Sequence, residues 1–168
     1  MPNENAILVE QFRHNAWANA EMLAACRGLS DEQFGTEVTG TYGSLGTTLV
    51  HLARAQGGYL RRLTDRQPGL EHRLEYEDPF PGVDRIDAHL QCTGGLLIDV
   101  AREASVERIL EFESDGQARR VAAFIVLLQA IHHGTEHRQQ IATALTTLHV
   151  EPPEPDLWAY WDSVQAIR

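Results

Sequence analysis

Ile131-His132-His133-Gly134-Thr135-Glu136-His137-Arg138-Gln139-Gln140 lies in a long apolar run that starts at residues 121–128 and continues through Ile141, Ala142 and Leu145. No proline interrupts it, so the stretch reads as one helix. His133 and His137 are then one turn apart and differ by about 40° in direction. Both imidazoles can reach one point, as two ligands of one metal ion must. Val126, Ala130, Ala144 and Leu148 share that direction, so the pair projects from a face expected to be buried. Buried imidazoles cost free energy unless their nitrogens find partners, and a metal ion is one such partner. Carbonyls or carboxylates would also serve, so the pair alone leaves both readings open. His132 points about 100° away from His133 and is the poorer candidate.

With 168 residues, 43% of them hydrophobic, the chain is expected to form a single domain, residues 1–168, around a real core. A net charge of −10 argues against nucleic acid or an anionic membrane as a main partner. Met1-Pro2-Asn3-Glu4-Asn5 has neither a basic region nor a long apolar stretch. No span is long enough to cross a membrane, so a cytoplasmic location is the expectation. Cys26 and Cys92 follow no zinc or redox spacing and read as small buried thiols. All 14 basic residues are arginine. The absence of lysine removes Schiff-base chemistry on the chain and any Walker-type phosphate loop.

Residues 5–27 read as a first helix, with Phe12, Ala16, Leu23 and Cys26 at helical spacing and Gly28 ending it. Trp17 is expected in the core. Ser30 and Asp31 open a short turn reaching Phe34. After a glycine-rich loop, residues 35–43, Ser44 caps a second helix that runs to about Leu63. Its core stripe is Leu45, Leu49, Leu52, Gln56, Tyr59 and Leu63. His51 faces elsewhere, among Thr48, Ala55 and Gly58, whose small side chains leave the volume a ligand site needs. Residues 65–82 form a long connection with extended structure in the middle, and His72 is expected in solvent. A third helix covers about 83–104, where Gly94-Gly95 marks a close approach or a bend. His89 on that helix is expected to be exposed. Residues 106–121 change period and read as a β-hairpin turning at Asp115-Gly116. A fourth helix spans about 118–148. Its first half, residues 122–130, is apolar all round and is expected at the centre of the fold. Beyond Pro152, Pro153 and Pro155, the aromatic tail 156–161 is expected to dock on the helices. The expected fold is all-α: a four-helix bundle with one long crossover, a hairpin before the last long helix and a short C-terminal helix.

His51 on the second helix joins His133 and His137 on the fourth to give three imidazoles with room between them. Three neutral imidazoles suit Zn, Ni or Fe(II) and leave an open position for water. Phe12-Arg13-His14-Asn15-Ala16-Trp17-Ala18-Asn19, Leu49-Val50-His51-Leu52-Ala53 and His133-Gly134-Thr135-Glu136-His137-Arg138-Gln139-Gln140 together resemble the DinB/YfiT-like superfamily of metal-dependent bundles (not the polymerase of similar name). Pro155-Asp156-Leu157-Trp158-Ala159-Tyr160 is similar to that family's ending. Gln139 stands where the family usually has Gly, on the far side of the helix from the imidazoles. The resemblance implies His51, His133 and His137 as ligands of a divalent metal ion. It also implies a thiol transferase or thiol-dependent isomerase acting on a small molecule, with a low-molecular-weight thiol such as bacillithiol or mycothiol as co-substrate. A homodimer is expected, as in similar proteins.

Gln140 lies near the ligand face, where it either orients a ligand or hydrogen-bonds across the bundle. Arg138 is expected to point away, towards an acidic residue or a partner subunit. Asn15 could reach the pocket from the first helix. His133-Gly134-Thr135-Glu136-His137 also fits an inverted zincin pattern with Glu136 as base. Against that hydrolase reading, Glu136 is directed about 100° from His137. A non-catalytic bundle, in which the metal is a sensor's ligand or a structural staple, is the other alternative. An open fourth position separates an enzyme from a staple.

Overall fold

The computed structural model describes residues 5–74, 80–114 and 116–166. Residues 1–4, residues 75–79 of the long connection and Asp115 of the expected turn lie outside the described residues. Four long helices carry the architecture: α1 (Ala6–Cys26), α3 (Leu45–Leu63), α4 (Val83–Arg102) and α5 (Ala123–Thr147). The single turn α2 (Asp31–Phe34) and the C-terminal α6 (Leu157–Ala166) complete the α-helices among the described residues. α1 and α3 lie diagonally opposite, each packed on both α4 and α5. Among the described residues no helix is long and apolar enough to cross a membrane.

Local signals set most of the boundaries. Arg27 caps α1, and Gly28 takes φ 93°, a left-handed turn that only glycine adopts without strain. Ser30 and Gln33 form a reciprocal capping box over α2. The Ser44 hydroxyl accepts from Thr47 N at 3.2 Å and starts α3. β1 (Ile109–Ser114) and β2 (Gln117–Ala122) pair antiparallel, with Phe112 opposite Arg119. α5 therefore begins at Ala123 rather than near residue 118, because the intervening backbone is spent on the hairpin ladder. Its first half is not buried all round: Ile125 is 47% and Leu128 51% exposed. The long connection holds a 3-10 turn, Leu70–His72.

The interior has two apolar layers. One gathers Met22, Leu23, Leu49, Leu52, Ile86, Ile141 and Leu145. The other gathers Val9, Phe12, Leu60, Leu63, Leu97, Val126 and Leu127. Each such fully buried side chain contributes roughly 1.5–3 kcal/mol. Between the layers, at mid-bundle, runs a polar belt of Asn15, Asn19, Gln56, Thr93 and Arg138, all at most 6% exposed. Gly94 lets α1 approach α4 there, since a Cβ on it would sit 3.4 Å from Ala16 Cβ. α4 stays unbroken across Gly94-Gly95.

Several expectations are corrected. His89 is buried, not exposed: its Nδ1 lies 2.7 Å from His72 O and its Nε2 3.1 Å from Ala53 O. Backbone carbonyls face both ring nitrogens, and the neutral ring donates its single N–H to one of them. His72 itself is only partly exposed. Trp17 is half-buried beneath α6, with Tyr160 and His14 against its ring. Of the tail, Tyr160 docks and donates to Glu10 Oε2 at 3.1 Å, whereas Trp158 and Trp161 stay exposed. Cys26 is a core thiol that burial pushes up to about 12, so it is inert. Cys92 is free and partly buried.

Candidate metal centre

His51 rises from α3, and His133 and His137 from the facing α5. Their Nε2 atoms converge. His133 Nε2 lies 3.1 Å from His51 Nε2 and 3.1 Å from His137 Nε2. All three ligand atoms fall within 4.8 Å of one another. Imidazole nitrogens at about 2.0–2.1 Å from a tetrahedral ion stand roughly 3.3 Å apart, so the spacing fits one ion. Thus the structure brings together the three histidines singled out from the sequence. His132 stays on the outer face, where its Nδ1 lies 3.3 Å from Glu136 Oε1. The Glu136 carboxylate is thereby turned away from the cluster, which removes the base that the inverted zincin reading needs.

Hydrogen bonds alone satisfy this cluster poorly. Gln140 Oε1 accepts from Tyr42 N at 3.1 Å, which fixes that atom as the oxygen. It lies 2.9 Å from His137 Nδ1, which must therefore carry the proton. His137 Nε2 then presents a lone pair inward. Across the three converging nitrogens, one His133 proton would have to serve two neighbours. A cation satisfies all three lone pairs at once. Gln140 thus orients the His137 ring and also holds the 35–43 loop, a bond to a loop rather than across the bundle. Gln140→Ala is expected to weaken metal binding about 10–100-fold without unfolding the protein. Gln140→Glu, which keeps an acceptor oxygen, should retain most of the affinity. Competition with a chelator measures both, and equal affinity in Gln140→Ala would contradict the assignment.

Electrostatics favour the neutral form of His51 and His133. Burial, then the nearby His137, lowers the His51 pKa. Burial, then His137 and His51, brings His133 down to about 4. The ordinary value is 6.5, so the unfolded chain takes up the proton first. The stabilising contribution is complete above about pH 6.5 and is lost as pH falls through about 4. Metal-free protein should show a falling denaturant midpoint over that window, with a smaller fall in His133→Ala. Parallel pH curves for the two proteins would contradict the assignment.

Aromatic rings frame the cluster. Tyr42 stacks on His51 with ring centroids 3.8 Å apart, and Tyr59 meets His133 edge-on at 5.6 Å. Tyr42 is set by the Gly-rich loop, whose ends are pinned by a Glu37–Ser44 bridge. Nothing in the sequence separates Tyr42 from any other loop tyrosine, and Tyr59 reads as core. His51 and His133 line a cleft of about 1490 Å³ that also reaches Phe112 on the hairpin. The cluster therefore has a side not closed by protein.

Two neighbours behave differently from expectation. Arg138 is 4% exposed and points inward, not towards an acid or a partner subunit. Its Nη1 donates to Asn15 Oδ1 at 2.7 Å and Asn19 Oδ1 at 2.8 Å, and its Nη2 to Thr135 Oγ1 at 3.0 Å. Burial pushes its pKa down to about 10, which leaves it charged at neutral pH. Asn15 consequently belongs to the polar belt and not to the cleft. The two helices meet closely here, since a Cβ on Gly134 would fall 2.7 Å from Asn15 Oδ1.

The DinB family model matches residues 1–166 of the chain. No curated protein matches it.

Proposed function

The chain belongs to the DinB family, and from that premise we propose that it is a metal-dependent enzyme in which His51, His133 and His137 hold a divalent ion, Zn, Ni or Fe(II), and that it transfers a low-molecular-weight thiol to a small electrophile or isomerises the electrophile with the thiol's help. The observation that carries the proposal is the convergence of three Nε2 atoms beside an open cleft. Bound there, a divalent ion supplies Lewis acidity, which lowers the pKa of a thiol or water brought to its open side.

The chain's own groups do the rest. Gln140 fixes the His137 tautomer. Tyr42 and Tyr59 hold the rings of His51 and His133 in place and keep water off their flanks. The cleft exceeds the roughly 300–1,000 Å³ typical of one small ligand, which favours two reactants bound together. A structural staple would have its fourth side closed by protein, so the open side weighs against that alternative.

Metal-loaded protein should accelerate consumption of at least one low-molecular-weight thiol by an electrophilic test substrate, and His133→Ala should lose the acceleration. Inactivity of metal-replete protein with every such thiol would overturn the thiol chemistry.

A further inference from the structure

We infer that the cleft beside the three imidazoles contains an anion subsite formed by Arg61, Arg62 and Arg119, so that its ligand is a small organic anion with a carboxylate or phosphate roughly 10 Å from the imidazoles. The inference deepens the proposed enzymatic reading and rests on it for the role of the imidazole end.

Among the described residues, the lining of the cleft has the opposite sign to the protein as a whole. The chain has a net charge of −10, yet five of its 14 arginines line the cleft. Among the described residues, Asp31 is the one carboxylate that does so. Among the described residues, Arg61, Arg62 and Arg119 are like charges with no carboxylate paired to them, and such a group favours an anion that enters it.

The arrangement follows from α3. His51, Ala55, Gly58 and Arg62 are spaced 4, 3 and 4 residues apart, so they share one stripe of the helix. Ala55 and Gly58 make a low floor between the imidazoles and the arginines. At 1.5 Å per residue, Gly58 lies roughly 10 Å along the helix from His51. Two guanidiniums fold back over that glycine. A Cβ on Gly58 would sit 3.4 Å from Arg62 Nη1 and 3.8 Å from Arg61 Nη2. Arg62 is held there by aromatic faces, 5.1 Å from the Phe112 centroid and 6.0 Å from that of Tyr59. Arg119 lines the same cleft from β2, opposite Phe112 in the hairpin register.

Neighbouring arginines outside the cleft are neutralised. Arg66 pairs with Glu103 and Arg120 with Glu111. Among the described residues no carboxylate pairs with Arg61, Arg62 or Arg119. Planar guanidiniums match carboxylate and phosphate oxygens in bidentate fashion. A concave site on a strongly acidic protein selects a small anion over a polyanion such as nucleic acid.

The test uses calorimetric titration of succinate and of inorganic phosphate, on metal-loaded and on metal-free protein. The metal-free arm isolates the arginines from direct binding at the imidazole end. Wild type should bind at least one anion saturably in both forms, more weakly as salt rises. The Arg61→Gln/Arg62→Gln variant should bind it at least about tenfold more weakly. Arg120→Gln removes a charge from the same hairpin outside the cleft and should bind as wild type does. Metal content, measured on the same samples, reports separately on the imidazole site. No saturable binding by wild type, equal binding by the double variant, or preference for a nucleic-acid oligomer over both small anions would overturn the inference.

Discussion

Arg138→Met is expected to lower the unfolding free energy by about 3 kcal/mol, although it removes no apolar contact of the core. Methionine fills similar volume but donates nothing. Asn15 and Asn19 would each lose a donor to a buried amide oxygen, at roughly 1–3 kcal/mol apiece. Relief from desolvating the guanidinium offsets part of that loss. The damage should spread, because the belt is a connected chain. Asn15 and Asn19 both donate to Gln56 Oε1, and Gln56 Nε2 donates to Leu90 O at 3.0 Å and Thr93 Oγ1 at 2.7 Å. One arginine therefore fixes four helices in register. In a domain of this size, 3 kcal/mol corresponds to a midpoint shift of roughly 6–12 °C. A shift typical of a surface substitution, within about 0.5 kcal/mol, would contradict this account of the belt.

Metal loading is expected to have the opposite effect and a similar size. An ion that binds the folded chain alone, at about 1,000 times its dissociation constant, adds about 4 kcal/mol. Thermal unfolding should then rise by roughly 8–16 °C on loading and return on chelation. The same addition to His133→Ala should move the midpoint little, because the variant loses a direct ligand. Its affinity should fall by at least about 100-fold, the upper end of what loss of an outer partner costs. Equal metal-induced shifts in wild type and variant would place the ion elsewhere.

The sequence makes the three converging imidazoles legible because helical direction is arithmetic. Spacing alone puts His133 and His137 on one side of α5, and small neighbours mark His51 on α3. Ser44, Gly28 and the Ser30 turn are likewise local signals, and each sits where its chemistry requires. What the sequence hides is the partner across the bundle. Arg138 reads as outward because the charge is costly to bury, yet its acceptors lie on α1, 119 and 123 residues away. His89 reads as exposed because no ligand-type residue sits at helical spacing, but its acceptors are backbone carbonyls, which residue identity does not display. Asn15 looked available to the pocket and is instead committed to Arg138. The start of α5 was blurred by an apolar run that serves a strand and a helix in succession.

The central claim, that three imidazoles from two helices form one metal site, is tested most directly by metal content. Inductively coupled plasma mass spectrometry on tag-free protein, beside the His51→Ala/His133→Ala double variant, should find close to one divalent ion per chain in wild type and loss of it in the variant. No metal in wild type after reconstitution with Zn, Ni and Fe(II), or equal metal in the folded variant, would contradict the claim.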